Sequence, residues 1–199
     1  FTDDNLIGSA YLVYSNRLFI EMGKVIGEDM SYFEELYECS LREYKKKYLN
    51  TGKPEHETQT ANVLAIYFDL TDDIQREGKK LVDDIEACGH LKTGFVGTPY
   101  LLHALTKIGR VDVAYKLLLK KDFPSWLFPV TRGATTMWER WDGAKVDGSF
   151  ATPDMNSFNH YAYGSVGDWL YTTVAGIDSD FNEPGYKHII FKPLPIKEL

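Results

Sequence analysis

One stretch of the chain, Gly133-Ala-Thr-Thr-Met-Trp-Glu-Arg-Trp-Asp-Gly143, gathers the residue types that could do chemistry. It sets a single carboxylate, Glu139, between Trp138 and Trp141, with Arg140 and Asp142 beside them. An acid next to an indole face suits a sugar. The ring covers the apolar C–H face of a pyranose, and the carboxylate takes a proton from a hydroxyl or a water. Two threonines, two tryptophans and a closing glycine place the stretch in a loop. If its backbone is extended, Met137, Glu139 and Trp141 face one way while Trp138 and Arg140 face the other. A second reading uses the same residues: a buried aromatic pair with a local ion pair, closing a loop over a helical core. Composition alone leaves both open.

A second motif follows, Met155-Asn-Ser-Phe-Asn-His-Tyr-Ala-Tyr-Gly164. Ser157 or Asn156 can cap a helix here, which puts Asn159 and His160 in its first turn, facing a cavity or solvent. A lone histidine on an apolar helix is more often a satisfied core residue. Its neighbours Asn159, Tyr161 and Tyr163 favour a polar pocket instead.

Composition narrows the function classes. The 199 residues can bury a sizeable core, and 44% apolar with 26% charged content is that of a globular chain. Net charge is −7 with no basic block beyond Lys45-Lys46-Lys47, which excludes a nucleic-acid partner. No apolar run reaches the length of a membrane span and no signal peptide is visible. The two cysteines, Cys39 and Cys88, lack disulfide or metal spacing and read as buried thiols. No metal or other cofactor is expected. The chain opens at Phe1, not at a methionine, and reads as a piece of something longer.

The elements that must position these residues are helical. Residues 6–26 read as a helix with Leu6, Ala10, Val13, Tyr14, Leu18 and Val25 apolar, and 30–49 as a second, more charged one. A third, 58–70, is apolar on every side through Val63-Leu-Ala-Ile-Tyr-Phe68, the mark of a fully buried helix. Residues 74–88 are amphipathic, 100–108 apolar again, and 110–121 a sixth helix. A long helix is expected over 157–177, and the tail around 186–191 reads as one strand. Buried helices alternate with exposed ones, as in helical hairpins packed ring within ring. A helical solenoid would alternate similarly, but no fixed period or repeated signature is present.

Together the motifs carry a resemblance. Thr135-Thr-Met-Trp-Glu-Arg-Trp-Asp142, Asn156-Ser-Phe-Asn-His-Tyr-Ala-Tyr-Gly164 and Pro184-Gly-Tyr-Lys-His188 resemble the bacterial α-L-rhamnosidases of glycoside hydrolase family 78. Thr58-Gln-Thr-Ala61, Thr93-Gly-Phe-Val-Gly-Thr-Pro-Tyr100 and Pro124-Ser-Trp126 fit the same family. The resemblance implies an all-α fold, a partial α/α six-hairpin toroid of about three hairpins plus the last inner helix. Residues 1–182 would be the C-terminal part of that toroid, and 183–199 would begin a following β-sandwich. It also implies removal of terminal α-L-rhamnosyl groups with inversion. That reaction needs a protonated carboxyl at the leaving oxygen and a carboxylate holding water ~6.5–9.5 Å away.

By the same resemblance Glu139 is the general base, and an exposed glutamate is ionised at neutral pH. His160 hydrogen-bonds the sugar. Trp138 and Trp141 are expected as its hydrophobic wall, and Arg140 as a further substrate-side residue that would help hold Glu139 ionised unless it faces away, as the alternation has it. Asp142 and Asp154 are expected either to support the site from behind or, the favoured reading, to cap loops, and Asp168 to be structural. The family's acidic motif bearing the general acid is absent here, so the isolated chain is expected to be inactive. Expected partners are rhamnose-containing glycosides or polysaccharides, and an apolar seam should make the chain self-associate. Another six-hairpin glycosidase and a non-catalytic sugar- or partner-binding module remain open, and the sequence fits cytoplasm, periplasm or secretion equally.

Overall fold

In the computed structural model, residues 1–145, 147–152 and 154–196 are described. The chain divides into two compact units, 1–108 and 109–199. The first holds five helices: α1 (Asp4–Val25), α2 (Ser31–Tyr48), α3 (Gln59–Tyr67), α4 (Ile74–Cys88) and α5 (Thr98–Lys107). Side chains start three of them. Asp3 Oδ1 accepts from Asn5 N ahead of α1, Thr58 Oγ1 from Ala61 N ahead of α3, and Asp73 Oδ1 from Arg76 N ahead of α4. Gly89 ends α4 in the left-handed conformation (φ 71°), where a Cβ would be penalised.

α1 packs on α2, and α3 lies against both α4 and α5. Every residue of α3 from Gln59 to Ile66 is buried, so the all-round apolar pattern is matched by burial on all sides. Leu6, Ala10 and Val13 of α1, Tyr44 and Tyr48 of α2, and Ala61, Leu64 and Phe68 form one core cluster. Tyr14 stacks on Phe68 at 4.0 Å between centroids. Each fully buried Leu, Val or Phe among them contributes about 1.5–3 kcal/mol.

Two expectations fail on the outer faces. Leu18 and Val25 are exposed, because α1 turns Leu6, Ala10, Val13 and Ile20 inward. Cys39 is exposed, since α2 buries just Tyr44 and Tyr48, and Cys88 is only half-buried at the end of α4.

The second unit holds α6 (Val111–Leu118), the short α7 (Leu127–Val130), a long irregular segment, then α8 (Tyr161–Gly164), α9 (Val166–Trp169) and a π-helical turn, Leu170–Val174. The expected helix over 157–177 therefore starts later and is interrupted. Its first residues are taken by an extended pairing described below, and its last by a strand. β1 (Ile177–Ser179) and β2 (Ile189–Phe191) pair antiparallel, Ile177 opposite Phe191. The strand expected around 186–191 is thus β2, and its partner β1 takes the end of the expected helix. The tail is tied down by Tyr115 Oη donating to Leu194 O (2.8 Å) and Leu194 N to Thr173 O (3.0 Å).

Candidate active site

The two motifs of the second unit meet main chain to main chain. Glu139 N donates to Ser157 O (2.9 Å) and His160 N to Met137 O (2.8 Å), so residues 137–139 and 157–160 run side by side as a short ribbon. That pairing keeps 157–160 out of the helix. His160 is extended (φ −127°, ψ 130°) and becomes the N-cap of α8, with Nδ1 accepting from Ala162 N at 3.2 Å. A ring nitrogen that accepts carries no proton, so the neutral imidazole has its N–H on Nε2.

The Glu139 carboxylate is held by the same ribbon. Its Oε2 accepts from Ser157 N at 2.8 Å, and the residue is only 9% exposed rather than open to solvent as expected. Asn156 Nδ2 donates to Gly143 O (2.9 Å), closing the far end of the loop, and Thr136 Oγ1 donates to Phe158 O. Gly143 sits so close to this clamp that a Cβ would stand 2.9 Å from Asn156 Oδ1 and 3.2 Å from Trp138.

The flanking residues follow the other reading of the loop. Trp141 stacks on Tyr163 (3.8 Å, 12°) and meets Trp126 edge-on, while Trp138 packs edge-on to Phe158. They are 8% and 7% exposed, and each indole is packed against neighbouring rings. Arg140 points to Asp142 (Nε–Oδ1 3.1 Å) and not to Glu139, so Asp142 is its ion-pair partner. Strict alternation fails because the loop coils: Trp138, Glu139 and Trp141 all turn inward. Burial pushes the Tyr163 phenol above its ordinary value, reinforced by the carboxylates of Asp142 and Glu139 against Arg140. Trp126, whose Nε1 donates to Tyr163 O at 2.9 Å, completes this aromatic base. Only its place in Pro124-Ser-Trp126 signalled it.

His160 lines a cleft of about 580 Å³ with Met137, Asn159, Tyr161, Gly164 and Ser165. Glu139, Trp138, Trp141 and Arg140 are not among its walls. A larger cleft, about 1010 Å³, lies in the first unit where α1, α3 and the segment before α5 begin. Three of its carboxylates are already engaged: Asp3 with Asn5 N and His56, Glu57 with Lys80, and Asp84 with Lys92. Among the described residues no group of three or more His, Cys, Asp and Glu is placed to hold a metal, and no helix is long and apolar enough to cross a membrane.

Comparison with known proteins adds to this geometry. Residues 1–174 match the family model described as the bacterial alpha-L-rhamnosidase 6 hairpin glycosidase domain. An alpha-L-rhamnosidase of Streptomyces avermitilis is 43% identical over 98% of the chain, and one of Formosa agariphila 38% over 98%. The chain spans only 19% and 22% of those relatives. The crystal structure of the Streptomyces avermitilis alpha-L-rhamnosidase complexed with L-rhamnose superimposes with a TM-score of 0.91, again over 98% of this chain and 19% of that one. The Aspergillus terreus enzyme gives 0.90 at 36% identity, covering 98% of this chain and 23% of that one. The mostly helical chain, with an acid loop and a histidine-capped helix pinned to one another, thus belongs to the bacterial α-L-rhamnosidase six-hairpin glycosidase family.

Proposed function

We propose that this chain is the C-terminal part of the catalytic toroid of an α-L-rhamnosidase, which removes terminal α-L-rhamnosyl groups with inversion. Glu139 is the general base. The observation that carries the assignment is the Ser157 N–H on Glu139 Oε2, which fixes the carboxylate in the ribbon that also bears His160. A main-chain donor on one oxygen sets the orientation of the group and leaves Oε1 to take the proton of a water. His160, with its proton on Nε2, donates to a hydroxyl of the rhamnose. Trp138 and Trp141 shape the loop from beneath, and the Arg140–Asp142 pair braces its outer side.

Inversion requires a second carboxyl across the sugar ring to protonate the leaving oxygen. That acid lies outside this chain, so the 199 residues alone should not turn over a rhamnoside. Residues 1–182 belong to the toroid, and the turn between β1 and β2 is where the following module begins. Substrates are rhamnose-containing glycosides or polysaccharides, and the isolated chain self-associates.

The test is hydrolysis of a chromogenic α-L-rhamnoside by the full-length protein that carries this chain. Glu139→Gln should lower kcat by about 10²–10⁴-fold, the usual worth of a general base. An unchanged kcat would make Glu139 a structural acid, and a first-formed rhamnose that keeps the substrate's anomeric configuration would remove inversion.

A further inference from the structure

Tyr161 opens α8 with its side chain turned out, 86% exposed, on the wall of the cleft that holds His160. Its ring lies parallel to the imidazole, 9° between planes and 5.3 Å between centroids. That separation is an offset stack in which the rings overlap only in part, so one face of the phenol stays open. His160 N donates to Met137 O and His160 Nδ1 accepts from Ala162 N, which orients the imidazole beside the phenol.

An open aromatic beside a cleft is suited to binding, since a tyrosine offers a large apolar face with only two side-chain torsions to fix. Apart from His160, the walls are Met137, Asn159, Tyr161, Gly164 and Ser165, with no carboxylate, lysine or arginine. An uncharged ligand with an apolar face fits them.

We propose that Tyr161 is the platform for the ring on the leaving-group side of the scissile bond, a sugar or a flat aglycone. This rests on the reading of His160 as the group that holds the rhamnose. The phenol is displaced sideways from the imidazole, so it covers the neighbouring unit rather than the one His160 binds. The C–H face of a pyranose or the π-face of an aryl group lies on the tyrosine ring.

The experiment compares methyl α-L-rhamnoside with an aryl α-L-rhamnoside on the full-length protein, reading kcat and KM separately. Tyr161→Ala should cut the preference for the aryl over the methyl substrate by about five- to tenfold, with the loss falling on KM. Tyr161→Phe should restore the preference to within about twofold, because the ring does the work. Calorimetric binding of the same two glycosides gives the same comparison without turnover. Equal losses on both substrates, no loss on either, or a lowered Tm in Tyr161→Ala would each overturn the platform. Glu139→Gln separates the two readings. It should lower kcat on both substrates alike, so a failed base assignment leaves the Tyr161 preference readable.

Discussion

At the scale of single residues, the loop around Glu139 is built to tolerances of a few tenths of an ångström. Gly143 shows it best, since no Cβ fits between Asn156 Oδ1, Trp138 and Phe158. Gly143→Ala must push Asn156 off its bond to Gly143 O or shift an aromatic ring. Overpacking of this kind costs about 1–3 kcal/mol, so thermal unfolding should show a lowered Tm and the full-length protein a lowered kcat. A Tm equal to wild type would mean that the loop absorbs the methyl group freely. Sequence alone could not reach this level. It named Glu139 and His160 by motif, but an alternating backbone was the only available guide to direction, and the loop does not alternate. The main-chain bonds of Ser157 and Met137 decide which way Glu139 and His160 turn, and main-chain bonds carry no residue signature.

Among the elements, the helices of the first unit were the most legible part of the chain. Thr58 and Asp73 announce α3 and α4 by capping chemistry, and the apolar run through Phe68 announces burial. What periodicity could not show is how α1, α3 and α5 are fastened. Asp69, in the left-handed region at φ 60° just past α3, accepts from Arg17 of α1 at 3.0 Å and from Lys107 of α5 at 2.6 Å. Burial pushes its carboxyl up, but the hydrogen bonds and charges of Lys107 and Arg17 outweigh that and leave it below the ordinary 3.8. A carboxyl lowered on folding stabilises above its unfolded value, and the gain is lost as pH falls through the folded one. Asn tolerates the same backbone region, so Asp69→Asn isolates the charge. The side chain is half exposed, and solvent screening limits the expected cost to about 1 kcal/mol at neutral pH. Denaturant titrations should find wild type and variant converging below pH 3.8. A gap that persists in acid would mean that the charge is not what stabilises. The β1–β2 pair was half legible, because Ile177 continues the apolar pattern of the helix before it.

At the scale of the whole molecule, α1 leaves an apolar stripe uncovered. Leu12, Phe19, Met22 and Ile26 recur seven, three and four residues apart on one face, 47–75% exposed. A stripe with that spacing normally meets another helix. The isolated chain should therefore form dimers or larger species in light scattering, and the double variant Phe19→Ser, Met22→Ser should shift it toward monomer. A wild-type monomer at high concentration would show that water wets this face without penalty. The stripe's position on α1 was not legible in the sequence, since Leu18 and Val25 were assigned inward.

The clamp at Gly143 and Asn156 also separates two evolutionary freedoms. Below it, the ribbon fixes Glu139 and His160 to one another through main-chain bonds, which tolerate sequence drift but not displacement. Above it, the tip around Asp147-Gly148-Ser149 is exposed and held by its own Asx turn, with Ser149 N donating to Asp147 Oδ1. Lengthening a closed loop is cheap, about 0.6 kcal/mol for each doubling. Residues inserted at that tip would therefore lengthen the loop while leaving the paired main-chain segments 137–139 and 157–160 in register.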